Sequence, residues 1–317
     1  MNKLIILTGP TAVGKTKLSI ALAKETGGEI ISADSMQVYR HMDIGTDKIT
    51  KEAMDGVPHH MINILEPTQE FNVCIFQHMV QELIAGIYGR GHVPIIVGGT
   101  GFYIQAVLYG INFTQTDSDE TLRHSLEQEV LEKGPQVLHE RLRQIDPASA
   151  DAIHANNVKR VIRAIEFYEK TGLRISEHNE EEHARSSAYD FRYFVLTDQR
   201  EVLYARIDAR VDRMIADGLE EEVRKLKRMG VTKEMTSMQG LGYREMLGYL
   251  DGEYDLERAI YLIKRNTRHF AKRQLTWFRR ERDVIWIDKS AYDRDEQRIL
   301  QQLLDTCGQL SALCVHG

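Results

Sequence analysis

Leu4-Ile5-Ile6-Leu7-Thr8-Gly9-Pro10-Thr11-Ala12-Val13-Gly14-Lys15-Thr16 runs four apolar residues straight into a complete G-x-x-x-x-G-K-[ST] loop, and Lys17-Leu18-Ser19-Ile20-Ala21-Leu22-Ala23-Lys24 follows with helical patterning. This strand, loop and helix order predicts a phosphate-binding site. Its glycines let consecutive N–H groups turn toward an anion, and the helix that follows points its positive dipole end at the same place. Lys15 adds a charge, and the Thr16 hydroxyl is suited to a Mg²⁺ ion carried by the phosphates. The loop does not say whose phosphates it holds.

Outward from the loop, strands alternate with helices, which predicts an α/β fold with a parallel sheet covered on both faces. Expected strands are Lys3 to Thr8, Glu29 to Ala33, Met61 to Ile64, Pro94 to Val97, Phe191 to Thr197 and Val284 to Ile287. Phe71 to Gly86 carries apolar residues at helical spacing. A second glycine-rich turn, Gly98-Gly99-Thr100-Gly101, follows a strand where open α/β sheets bind ligands, and it reads either as ligand site or as tight connection. Asp34 leaves the Ile30-Ile31-Ser32-Ala33 strand as a metal ligand, a general base or a structural cap.

Between Thr114 and Ala188 the pattern becomes helical: Glu120 to Glu132, Pro135 to Arg143 and Asn157 to Glu169, punctuated by Gly134, Asp146-Pro147 and Gly172. An all-helical insertion is expected there, ending in the acidic stretch Ser176 to Ser187, which reads as a solvated loop or helix end. No internal repeat or low-complexity linker interrupts the chain.

The 317 residues, 42% of them hydrophobic, are enough for a substantial core. No signal-like apolar region and no run of 18 apolar residues occurs, so a cytoplasmic protein without a membrane partner is expected. Cys74, Cys307 and Cys314 form no C-x-x-C and read as ordinary thiols. The net charge of −6 argues against a nucleic-acid partner, but its distribution reverses that reading. Lys264 to Arg282 holds eight Lys or Arg against Glu281 alone. On a helix, Arg265, Arg268, Lys272 and Arg279 fall near one face, with Ile263, Phe270 and Trp277 as the docking stripe. A polyanion partner is expected there. Arg206, Arg210 and Arg213 at i, i+4, i+7 read equally as a clamp on diphosphate oxygens or as members of intrahelical ion pairs.

Gly9 to Thr16, Ser32 to Tyr39, Met42-Asp43-Ile44-Gly45-Thr46, His59-His60, Pro94 to Tyr103, Arg160 to Glu166 and Thr267 to Arg279 together resemble the bacterial tRNA dimethylallyltransferases, also called tRNA isopentenyltransferases. The matches run in order over nearly the whole chain. Two departures, Asn156-Asn157 for an expected Asn-Asp and Arg244 where a Lys is frequent, touch none of the chemistry. The cysteine count agrees with the absence of the zinc-finger extension found in eukaryotic relatives.

The resemblance implies a P-loop NTPase-like, kinase-like parallel sheet covered by helices. It implies a core of residues 1–113 and 189–317 with a basic C-terminal segment, and a helical insertion at 114–188 that contacts tRNA. The implied reaction moves the dimethylallyl group of dimethylallyl diphosphate to the exocyclic amine of the adenine immediately 3′ of the anticodon (tRNA position 37), releasing diphosphate.

The implied diphosphate site is the loop Gly9, Pro10, Thr11, Ala12, Val13, Gly14, Lys15 and Thr16, with Mg²⁺ on Thr16. Lys15, Arg210 and Thr100 join Asp34 as catalytic residues, Asp34 accepting the proton. Asp34, Ser35, Met36, Gln37 and Thr100 would line the adenine's position, while Arg123 and Lys159-Arg160-Val161-Ile162-Arg163 grip the anticodon stem-loop. A channel would bring the unstacked base to the donor. The expected state is a monomer. An ATP-dependent small-molecule kinase fits the loop and Asp34 but not the basic segment, and a non-catalytic RNA-binding protein fits poorly with an intact Lys15-Thr16 pair and Asp34.

Overall fold

A computed structural model describes residues 3–113 and 120–308. The four-residue apolar run of β1 (Lys3–Thr8) is buried almost throughout, as a strand covered on both faces must be. It lies near the centre of a six-stranded sheet with β2 (Gly28–Ala33), β3 (His59–His60), β4 (Val93–Gly98), β5 (Asp190–Thr197) and β6 (Val284–Asp288). The order is β3-β2-β4-β1-β5-β6, and every neighbouring pair is parallel. Thr8 pairs with Gly98 and Gly98 with Ala33, so the loops leaving β1, β4 and β2 emerge side by side at the carboxyl edge.

Five of the expected strands are present with ends shifted by at most a residue; the sixth is displaced. Met61 and Asn63 have left-handed backbone (φ 63° and 55°), which ends pairing with β2 at His60, so 61–64 is a turn held to Gln37 and Val38 by backbone hydrogen bonds.

Helices α1 (Lys15–Thr26), α2 (Val73–Gly89) and α3 (Gly101–Tyr109) follow the first strands. Asn72 starts α2 by accepting from the N–H groups of Cys74 and Ile75, two residues later than the apolar pattern suggests. Then come α4 (Glu120–Lys133), α5 (Pro135–Ile145), α6 (Pro147–Ala152), α7 (Val158–Thr171) and α8 (Ile175–Ala184), and after β5 come α9 (Arg200–Ala216), α10 (Leu219–Arg228), α11 (Tyr243–Leu250), α12 (Leu256–Phe278) and α13 (Glu296–Gly308).

The described residues divide into two compact units, one drawn from Met1–Leu108 with Ala188–Gly317, the other from Tyr109–Ser187. The expected boundary at Thr114 and the thiol Cys314 lie outside the described residues.

The sheet unit packs Ile5, Leu7, Leu18, Leu22, Ile95, Phe194 and Ile287 into one core. The helical unit has its own, built from Leu126, Leu138, Leu142, Val161, Ile162 and Ile165. Buried Asp146 ties that unit's turns together, accepting from the N–H and hydroxyl of both Ser149 and Ser176. The acidic stretch forms most of α8. Among the described residues no helix is long and apolar enough to cross a membrane.

Candidate active site

The loop between β1 and α1 is built to leave donors free. Gly9 (φ 145°) and Gly14 (φ 91°) adopt backbone that L side chains rarely take, and a Cβ on Gly9 would lie 2.4 Å from the Leu196 carbonyl oxygen. The N-cap of α1 is Gly14, with no side-chain cap, so the first N–H groups of that helix remain available to an anion. Thr11, Ala12, Gly14, Lys15 and Thr16 line a cavity of about 420 Å³, whereas Gly9, Pro10 and Val13 lie beneath its surface and shape the turn.

Lys15 is folded back, its Nζ donating to the carbonyls of Gly9 (3.0 Å) and Pro10 (2.9 Å). Burial, and secondarily the Arg210 charge, pull its pKa down to about 7, with Asp34 opposing. Arg210 reaches in from α9, 2.9 Å from the Asp47 carboxylate and 3.3 Å from the Thr11 hydroxyl. Burial lowers its pKa, and the Asp47 charge works against that fall.

Of the three readings offered for Asp34, the structure shows the cap. Oδ1 caps the turn after β2, accepting from the N–H groups of Met36 (2.8 Å) and Gln37 (3.3 Å), while Oδ2 has no hydrogen-bond partner among the described residues. Asp34, Ser35, Met36, Gln37 and Thr100 line the same cavity as Lys15, Thr16 and Arg210. Four strands and nearly two hundred residues of chain separate Lys15 from Arg210, and the level carboxyl edge brings them together.

The three-arginine clamp does not form. Arg206 instead pairs with Asp198 (3.1 Å), which also holds Arg294, and Arg210 alone points to the loop. On α12 the docked face is Ala259, Ile263, Ala271, Gln274 and Phe278, with Phe270 and Trp277 only half-buried. A stripe spaced by sevens drifts about 20° per heptad around a straight helix, which carries Trp277 off the face that Ile263 occupies. The expected basic face divides as well: Arg268 pairs with Asp208 and Lys264 with Asp212, both at 2.5 Å, binding α12 to α9. Lys272, Arg279 and Arg280 are exposed and form no ion pair among the described residues. His269, Lys272, Arg273 and Arg280 line an open groove beside Trp277, which meets Phe102 edge-to-face.

In the helical unit, Lys159, Arg160 and Arg163 lie exposed on α7, whereas Val161 (1% exposed) and Ile162 (3%) sit in the core. Their side chains therefore present nothing to RNA, correcting the expectation that all of 159–163 forms the grip; helical geometry turns successive residues about 100° apart. Arg123 is held by Glu166 through two hydrogen bonds of 3.0 and 2.7 Å.

Three residues that spacing could not single out organise the cavity. Gln274, 6% exposed, accepts from the Thr11 N–H (2.9 Å) and donates to the Gly99 carbonyl (2.9 Å), tying α12 to both glycine-rich turns. Glu222 accepts three successive N–H groups, of Asp43, Ile44 and Gly45, and the Tyr243 hydroxyl, fixing the 43–47 loop. Buried Lys289 donates to the Val13 carbonyl from behind the phosphate loop. Glu222 offered only an acid on a helix, Gln274 only an amide inside a basic run, and Lys289 only a lysine after a strand.

Residues 37–281 match the family described as IPP transferase, and residues 2–63 the one described as isopentenyl transferase. Proteins named tRNA dimethylallyltransferase from Lachnoclostridium phytofermentans and Carboxydothermus hydrogenoformans are 59% and 51% identical, over 93% and 95% of this chain and 94% and 97% of theirs. A solved full-length tRNA isopentenylpyrophosphate transferase from Bacillus halodurans is 46% identical over the whole of both chains, with a TM-score of 0.75. A eukaryotic dimethylallyltransferase solved acting on tRNA is 32% identical, with a TM-score of 0.81 over 97% of this chain and 80% of that one.

Proposed function

The chain belongs to the IPP transferase family, and on that premise we propose that it transfers a dimethylallyl group from dimethylallyl diphosphate to the exocyclic amine of the adenine 3′ of the anticodon in tRNA. The observation that carries this reading is the meeting of an open phosphate loop, a half-free carboxylate and a partly buried arginine around one cavity.

The donor's C1–O bond breaks as the new C–N bond forms, and negative charge grows on the departing diphosphate. Lys15, the bare N–H groups at the start of α1 and Arg210 stand where that charge is held. The adenine amine is conjugated and weakly nucleophilic, so its proton must leave as it attacks. Asp34 Oδ2 takes the proton, while the two backbone N–H groups on Oδ1 hold the carboxylate in place. Met36, Gln37 and Thr100 shape the adenine's place in the cavity.

Mg²⁺ suits the donor set. Among the described residues no three His, Cys, Asp or Glu side chains converge on a metal site, and hard oxygen ligands are supplied by the Thr16 hydroxyl and the diphosphate itself. Bound there, the ion would neutralise part of the leaving group's charge.

Extruding the base costs a few kcal/mol, which backbone contacts must offset. Lys159, Arg160 and Arg163 on α7, and Lys272, Arg279 and Arg280 at the end of α12, are the cations available for RNA phosphates. A monomer in the cytoplasm completes the reading.

The test incubates the protein and Mg²⁺ with radiolabelled dimethylallyl diphosphate and unmodified tRNA, without ATP. Label confined to the adenine beside the anticodon is the expected result; no transfer to tRNA that still binds would overturn it. Asp34→Ala should lower turnover by roughly 10²–10⁴ while tRNA affinity stays within about tenfold, and near-normal turnover would remove Asp34 from the base role.

A further inference from the structure

Three of the groups expected to hold the donor's diphosphate are already engaged by the protein itself. Lys15 donates to its own loop, the Thr11 N–H donates to Gln274, and Arg210 is paired with Asp47 at 2.9 Å. The first two partners are neutral. The third is an anion, so it is the one that meets an incoming phosphate as a like-charged rival for the same guanidinium.

Asp47 is not a loosely placed surface acid. It ends the loop whose N–H groups at Asp43, Ile44 and Gly45 are fixed by Glu222, and the Thr46 carbonyl accepts from Gln37. A Cβ on Gly45 would fall 2.5 Å from the Tyr243 ring, so the loop is pressed against that residue. Asp47 and Arg210 line the cavity together, their side chains 42% and 24% exposed. The Asp47 charge is also the chief favourable influence on Arg210, which is otherwise crowded by Arg213.

We propose that Asp47 is a positioning residue that competes internally with diphosphate: it occupies Arg210 in the empty enzyme, yields it when the donor arrives, and takes it back as product diphosphate leaves. The inference rests on the reading that this cavity binds the donor's diphosphate. Its consequence is a weaker hold on both donor and product than the cations alone would give, which favours release of a polyanion that would otherwise linger.

The opposite role is physically reasonable and gives the opposite sign. Were Asp47 needed to aim Arg210 at the ligand, or to ligate a metal on it, losing the carboxylate would weaken binding. Asp47→Asn is the apt variant, because residue 47 has φ 50° and Asn tolerates left-handed backbone. Isothermal titration of the whole protein with inorganic diphosphate and Mg²⁺, without tRNA, should give about tenfold tighter binding for Asp47→Asn, with the product inhibition constant in the transfer assay falling in parallel.

In an Arg210→Gln background the same substitution should change affinity less than twofold, which a general loosening of the loop would not predict. Unchanged or weaker binding in Asp47→Asn, with normal binding by the parent, would overturn this inference alone. Binding of diphosphate by neither protein would overturn it together with the reading of the cavity.

Discussion

The two glycine-rich turns at the carboxyl edge, Gly9–Thr16 after β1 and Gly98–Gly101 after β4, use the same residue for different physical ends. In the first, glycines supply positive φ, so that the chain can turn its N–H groups toward an anion. In the second, none of the three glycines has positive φ, and each is short of space instead. A Cβ at Gly98 would lie 2.3 Å from the Ala33 carbonyl oxygen, at Gly99 2.1 Å from Gln274 Nε2, and at Gly101 2.2 Å from Trp277 Cδ1. The first turn is shaped to leave the N–H groups at the start of α1 open, and the second to let α12 dock closely. Thr100 reaches the cavity because its neighbours let that helix approach closely.

The difference is sharpest in what each turn contributes to chemistry. Lys15→Met removes the charge of the first turn and should lower single-turnover prenyl transfer roughly 10²–10³-fold. Its melting temperature should hold or rise, because a partly buried ammonium is no longer desolvated. A large loss of stability instead would show that the loop is packing, like its counterpart.

Gly101→Ala probes the second turn and should cost about 1–3 kcal/mol in denaturant unfolding, as the methyl drives into the Trp277 ring. Full stability with donor binding abolished would break the comparison by making the second turn a ligand site after all.

Gln274 joins the two turns. Gln274→Met keeps the volume but leaves the Thr11 N–H and Gly99 carbonyl without partners, so the donor KM should rise about tenfold while tRNA affinity is unchanged. Equal losses for donor and tRNA would place Gln274 in the frame of the fold rather than at the junction.

The smallest effect is in pH. In the empty protein Lys15 has its pKa pulled down to about 7, and a bound diphosphate would raise it. Binding then takes up a proton above pH 7, so donor affinity should be level below pH 7 and fall a few-fold per unit above it. Calorimetry in buffers of different ionisation enthalpy measures that uptake. The stability of the empty protein runs the other way. Its lowered folded pKa means the unfolded chain binds more protons between about 7 and 10.5, so this lysine's cost to stability is full below pH 7 and relieved as pH rises.

Much of the site was legible because its signals are local. Thr8 to Thr16 specifies strand end, turn and helix start within a few residues, and Asp34 announces itself by following an apolar strand. Which side chains of 159–163 are exposed was only partly legible, since Val161 and Ile162 face a core with members on α4, α5 and α6. The strand expected at 61–64 failed because apolar residues there fill space at a turn rather than continue a ladder.

The sequence by itself determined that a glycine-rich loop at Gly9 to Thr16 joins a strand to a helix, that the sheet is parallel, and that a helical stretch interrupts it. Those features follow from short-range rules of backbone geometry, charge and apolar spacing. Only the tertiary structure decided that Arg210 and not Arg206 meets the loop, that Gln274 spans two turns, and that Asp47 pairs with Arg210. Thr11 meets Arg210 and Gln274 across 199 and 263 residues of chain. Contacts of that kind depend on the register of a sheet and the rotation of helices against it, and no local pattern encodes either.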